Sequence, residues 1–216
     1  VLVPGLVDAH AWAAPAAGLE ADYFYLMGLA HGVTGFRVLN VRTGWGVAQR
    51  ERSISGEILA PRLWTSGRGI NQGASPDRWL FDATDSSVAI GEVRRQTDSK
   101  VNWVAGYESL TPDIYKAMVG AASRSGVRIS SRPGASSMND LAAAGVGSIE
   151  SLAYPIKPRS ATAADPWPAL ATRDLNALQA RLVRGRVTLV PMMAAAMARA
   201  FPEETAEDKA LALLPE

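Results

Sequence analysis

His10 and His31 are the only imidazoles in this chain of 216 residues, which contains no cysteine. Those counts bound the chemistry before any motif is considered. A thiolate nucleophile, a disulfide, an iron–sulfur cluster and a multi-histidine metal centre are all excluded. Asp8 precedes His10 by two residues, close enough in sequence to orient a proton-accepting imidazole. Arg37, Tyr107, Arg132 and Glu150 fall at the ends of apolar runs that read as strands. An arginine pair there can hold an anion, but strand-end ions more simply pair with each other, and that is the expectation adopted. Ser131 and Ser151 lack the Gly-x-Ser-x-Gly elbow of a serine nucleophile. His31 stands before Gly32 at the end of a helical segment, where a cation suits the negative pole.

Two glycine doublets, Gly44-Trp45-Gly46 and Gly67-Arg68-Gly69, lack the rest of a phosphate-binding loop and read as turns. Among the six tryptophans, Trp45, Trp79 and Trp167 fall in predicted loops. An aromatic there either packs under its loop or anchors a partner surface.

The elements that must position these residues follow a recurring pattern of amphipathic helix, glycine, then β-branched run. A helix over 20–31 with Tyr23, Leu26, Met27 and Ala30 on one face leads through Gly32 to a strand at 33–36. A helix over 112–125, capped by Thr111 and striped by Ile114, Ala117, Met118, Ala121 and Ala122, leads through Gly126 to a strand at 127–129. Met138, Leu141 and Ala142 precede Gly145 and a strand at 146–149. Leu175, Leu178 and Leu182 precede Gly185 and a strand at 187–190. With runs at 2–8, 61–66 and 101–105, the pattern predicts about seven parallel strands in an α/β fold, as an open doubly wound sheet or a barrel. Segments 71–86 and 155–172 read as loops, and 203–214 as the start of a helix with acids preceding leucines.

With 48% hydrophobic and 20% charged residues, the chain reads as one globular domain over 1–216. A net charge of +1 gives no sign of a nucleic-acid partner. No run approaches the ~20 apolar residues of a membrane span, which leaves peripheral association with a membrane open. No secretory signal is read at Val1, and the expectation is a processed or truncated chain. The compartment stays undetermined, with a periplasmic or exported site preferred over a cytoplasmic one.

Val3-Pro4-Gly5-Leu6-Val7-Asp8-Ala9-His10-Ala11-Trp12 resembles the first barrel strand of the metal-dependent amidohydrolase superfamily. Collinear segments resemble later strands of its imidazolonepropionase-like and prolidase-like branch: Leu29 to Thr34, Ala60 to Leu63 with Ser66-Gly67, Val101 to Tyr107, and Ala144 to Leu152. The resemblance implies an incomplete or modified TIM-type (β/α) barrel without the flanking β-sandwich and the last strand. It also implies divalent metals that activate water. At the family's ligand positions this chain has His10, Trp12 for the second histidine, Ala105 for the bridging lysine, Arg132 for the fifth-strand histidine and Ser151 for the sixth-strand one. An indole, a methyl group and a guanidinium offer no lone pair to a metal.

The expectation drawn from this is a pseudoenzyme with no catalytic residues, cofactor or metal, acting as a structural subunit of a larger protein assembly. One conceivable host is a photosynthetic complex, with the chain as a membrane-extrinsic accessory subunit. Trp45, Trp79 and Trp167 are the expected partner contacts. Two alternatives stand beside it. One is a hydrolase of amide or cyclic amide bonds with a reduced or non-metal site around His10. The other is a binding protein for a small anion, using Arg132, Tyr107 and His10 in the former active-site pocket.

Overall fold

The computed structural model describes residues 2–11, 21–73, 80–156, 170–193, 196–197 and 201–203. Trp12, Trp79, Trp167 and most of the segment expected to form a C-terminal helix lie outside the described residues.

Parallel strands alternate with helices from the start. β1 (Leu6–Ala11), α1 (Ala21–Ala30), β2 (Val33–Val38), α2 (Thr43–Ser55) and β3 (Arg62–Thr65) form a first sheet ordered β1-β2-β3. The second sheet contains the short β4 (Ile70–Asn71) and β5 (Phe81–Asp82), then β6 (Trp103–Gly106), β7 (Arg128–Ser131), β8 (Ser148–Glu150) and β9 (Thr188–Val190). Its order is β5-β4-β6-β7-β8-β9. Helices α3 (Ser86–Asp98), α4 (Pro112–Ser123), α5 (Met138–Ala144) and α6 (Thr172–Gly185) occupy the crossovers. A parallel bridge between Ser66 and Trp103 and a hydrogen bond from the Asn102 amide to the Thr65 carbonyl, 2.9 Å, join β3 to β6. The first sheet therefore runs from an edge at β1 to β3 beside β6, and the second has its edges at β5 and β9. The curl of the sheets brings β2 of the first and β8 of the second within hydrogen-bond distance across the interior.

Two apolar clusters hold these sheets. Ile129, Ile149, Val104 and Val93 pack with Ile114, Met118, Leu141, Leu178 and Leu182 beneath the second sheet. Tyr25, Phe36, Val38, Val41 and Leu63 form the smaller cluster around α1 and α2. Gly32, Gly126 and Gly145 each take the left-handed conformation after their helices, as expected. After α6 the left-handed residue is Arg186 rather than Gly185.

Several sequence expectations are corrected. The α1 face is set by Ala21 and Tyr25, while Leu26 is exposed; apart from Asp22 in its first turn the helix is largely apolar all round, so periodicity could not select a face. Thr111 precedes α4 without a side-chain capping bond. Gly44-Trp45-Gly46 is the first turn of α2 rather than a loop, and Trp45 is half-buried against the smaller cluster. The segment read as a loop over 71–86 contains β5 and leads into α3, whose start is capped by Asp85 accepting from the Ser87 and Val88 amides.

Gly46 is required by the close approach of α2 to β3. A Cβ there would lie 2.3 Å from Thr65 Oγ1 and 2.7 Å from Val41 Cγ2, whereas one at Gly91 in α3 would meet nothing within 4 Å. Gly46→Ala is therefore expected to destabilise by about 1–3 kcal/mol through overpacking. Gly91→Ala is expected to stabilise by about 0.5–1 kcal/mol through helix propensity. Urea denaturation of the two variants checks both signs.

Candidate functional site

The C-terminal ends of the strands bring together residues that are far apart in sequence. Glu150, the last residue of β8, is fully buried. Its Oε1 accepts from Arg37 Nη2 at 2.6 Å, Ser148 Oγ at 2.6 Å and Ser130 Oγ at 2.9 Å. Its Oε2 lies 3.0 Å from His10 Nδ1. Strand alternation places Ser148 and Glu150 on one face of β8, and Ser130 lies on the neighbouring β7. Arg37 on β2 also donates from Nε to the Ala9 carbonyl, 2.6 Å, and from Nη1 to Ser148 Oγ, 3.0 Å. Its guanidinium carbon stands 4.7 Å from the centre of the Trp103 ring, and that of Arg128 stands 5.9 Å from it. A buried carboxylate normally resists ionisation. Here burial is outweighed by the His10 hydrogen bond, the Arg37 charge and the Ser148 hydroxyl, so the Glu150 pKa falls below its ordinary value.

The strand-end ions therefore pair, but not in every way expected. Asp8 accepts the backbone amide of His10 at 2.9 Å; the ring is held by Glu150. A carboxylate two residues away on the same strand can reach the intervening backbone more readily than a ring directed inward. His31 places Nδ1 2.8 Å from the Met27 carbonyl, at the end of α1 as expected. Ser130 and Ser148, absent from the sequence-derived candidates, donate to Glu150 from adjacent strands; two serines on the inward faces of neighbouring strands are a legible polar signal.

Arg132 and Tyr107 come together beside β6 and β7. The guanidinium carbon of Arg132 is 5.2 Å from the Tyr107 ring centre, and its Nη1 is 3.1 Å from Glu108 Oε1. An anion at Arg132 must compete with that carboxylate. The Tyr115 hydroxyl hydrogen-bonds the carbonyls of Tyr107 and Arg132 at 3.0 and 3.3 Å and so locks the two strand ends together. Ser151 follows β8 with φ of 88°, and its hydroxyl accepts from the Ala153 amide. Ala105 is buried within β6.

A divalent metal, which the resemblance to amidohydrolases implies, does not fit the side chains at these positions. Ala105 has no donor atom, Arg132 is a cation already paired with Glu108, and Ser151 is engaged by backbone. Among the described residues no group of three His, Cys, Asp or Glu side chains is placed to hold an ion. No helix of the described residues is long and apolar enough to cross a membrane.

No protein-family model and no curated protein matches this sequence. Solved structures do match. A putative prolidase from Bifidobacterium longum is 22% identical over 69% of this chain and 40% of its own, with a TM-score of 0.59. A Xaa-Pro dipeptidase with methionine bound in its active site is 16% identical over 95% of this chain and 56% of its own, TM-score 0.66. Ochratoxinase from A. niger is 16% identical over 94% and 55%, TM-score 0.67. The chain has the α/β fold of the prolidase-like amidohydrolases, and it spans about half the length of these structures.

Because the folded-state pKa of Glu150 is lowered, its ionisation stabilises the fold above the unfolded carboxylate pKa of about 4.3. That contribution is lost as pH falls through the folded value. Glu150→Gln removes one partner of a buried pair and should cost about 3–5 kcal/mol at neutral pH. Thermal unfolding across acid pH should show a flatter pH dependence in this variant than in the parent chain.

Proposed function

We propose that this chain is the barrel body, a single domain over 1–216, of a hydrolase acting on amide or cyclic amide bonds, with its site centred on His10 rather than on a metal cluster. The observation that carries this reading is the His10–Glu150 pair, an imidazole oriented by a buried carboxylate at the C-terminal ends of parallel strands. Barrel enzymes place their chemistry at that face, and similar solved structures are named as a prolidase and a Xaa-Pro dipeptidase. With Nδ1 donating to ionised Glu150, Nε2 is the basic nitrogen of His10. It takes a proton from water as the water oxygen bonds to the amide carbon. The imidazolium, stabilised by Glu150, then protonates the leaving nitrogen as the C–N bond breaks.

A second reading, an inactive structural subunit of an assembly, is favoured by a different observation. Leu6 and Val7 on β1, and Leu189, Met193, Met197 and Phe201 at and beyond β9, are exposed. β1 is an edge of the first sheet and β9 an edge of the second, and apolar sheet edges attract a covering partner.

Hydrolysis of a panel of N-acyl amino acids, dipeptides and cyclic imides tests the first reading. Activity should survive chelation and fall by about 100-fold or more in His10→Ala. Absence of hydrolysis, or activity unchanged in His10→Ala, overturns it. Stoichiometric zinc or manganese that disappears in His10→Ala would replace it with a metal mechanism. Isolation of the native chain in a stable complex of fixed composition supports the second reading, and a native monomer removes it.

A further inference from the structure

Arg37 is buried with all of its side-chain nitrogens engaged. Its three nitrogens reach the Ala9 carbonyl, Ser148 Oγ and Glu150 Oε1, and its plane lies near the Trp103 ring. It therefore grips the backbone one residue before His10 and also the carboxylate that holds the His10 ring. Three of the donors to Glu150, from Arg37, Ser148 and Ser130, converge on Oε1. That convergence fixes the rotation of the carboxylate and directs Oε2 to His10 Nδ1.

We propose that Arg37 is the positioning residue of this site and that, acting through Glu150, it decides which nitrogen of His10 carries the proton. The two sides of the arrangement support each other. A guanidinium beside Glu150 keeps the carboxylate ionised and hence an acceptor only. An acceptor at Nδ1 requires Nδ1–H, which leaves Nε2 basic. The Nε bond to Ala9 holds β1 in the register that brings the ring to that acceptor. A neutral residue at position 37 would leave Glu150 with serine donors alone, able to take up a proton and to offer it to Nδ1. The site would then favour the opposite tautomer. This inference rests on the reading of His10 as the proton acceptor for its catalytic meaning, but its test does not require activity.

With only two histidines in the chain, long-range nitrogen–proton correlation spectra of the uniformly ¹⁵N-labelled protein resolve both rings, and His31 serves as the internal reference. In the parent chain His10 is expected to show a protonated Nδ1 and an unprotonated Nε2. In Arg37→Met the ratio of that tautomer to the other should fall by about tenfold or more, the effect of losing one charge-assisted hydrogen bond. His31 should be unchanged, and Arg37→Lys should recover part of the ratio. A parent-like His10 pattern in Arg37→Met overturns the proposal. If Arg37→Met does not fold, Ser148→Ala removes the hydroxyl that accepts from Arg37 and donates to Glu150; it should shift the ratio in the same direction, and an unchanged ratio overturns the proposal. A His10 tautomer that follows Arg37 in a chain without amide hydrolysis removes the hydrolase reading and keeps the positioning role. Hydrolysis with a tautomer indifferent to Arg37 does the reverse.

Discussion

Glu150 is a carboxylate held ionised while fully buried, and the interior of this fold is arranged around keeping it there. Placing a carboxylate in a low-dielectric core is costly unless it is paired and fully hydrogen-bonded. Here a guanidinium, two serine hydroxyls and an imidazole satisfy it. These groups come from β1, β2, β7 and β8. The requirement therefore constrains curvature as well as charge: a flat sheet of this strand order could not bring Arg37 to Glu150. The Trp103 ring from β6 completes the surroundings of Arg37, and the cation–π contact compensates part of the hydration that the guanidinium has lost.

That polar interior gives the site a different character from a metal centre. A metal site concentrates charge in one ion and needs several lone pairs directed at a point. At these strand ends charge is instead spread over side-chain pairs, Arg37–Glu150 and Arg132–Glu108 among them. Arg132 and Ala105 supply no electron pair where the resemblance to amidohydrolases implies ligands. Likeness to prolidases and ochratoxinase at 22% identity or below establishes the shared fold. Chemistry belongs to the side chains placed on it.

Helix–glycine–strand units were the most legible part of the fold, since a left-handed residue after a helix and a β-branched run are local properties. The strands at 33–36, 127–129, 146–149 and 187–190 appear near their expected places. α2 and α3 were not legible. Gly44 and Gly46 are poor helix formers; Gly46 is accommodated because α2 must approach Thr65 and Val41 closely, whereas a Cβ at Gly44 would meet nothing within 4 Å. The face of α1 was equally undecidable from periodicity, because nearly every side chain on it is apolar; contact with Phe36 at Gly28 and Tyr25 sets its rotation.

By itself, the sequence determined which chemistry was available. Two imidazoles and no thiol follow from composition alone, and the alternation of elements follows from local propensities. It also marked His10, Arg37, Arg132 and Glu150 as strand-end residues. Only the tertiary structure decided the pairing. Asp8, two residues from His10, binds its backbone amide, whereas Glu150, 140 residues away, binds its ring. Arg132 belongs to Glu108 and Arg37 to Glu150. Sequence spacing carries no information on which inward-facing side chains meet across a curled sheet. That depends on strand order and curvature, which the packing of the whole chain sets.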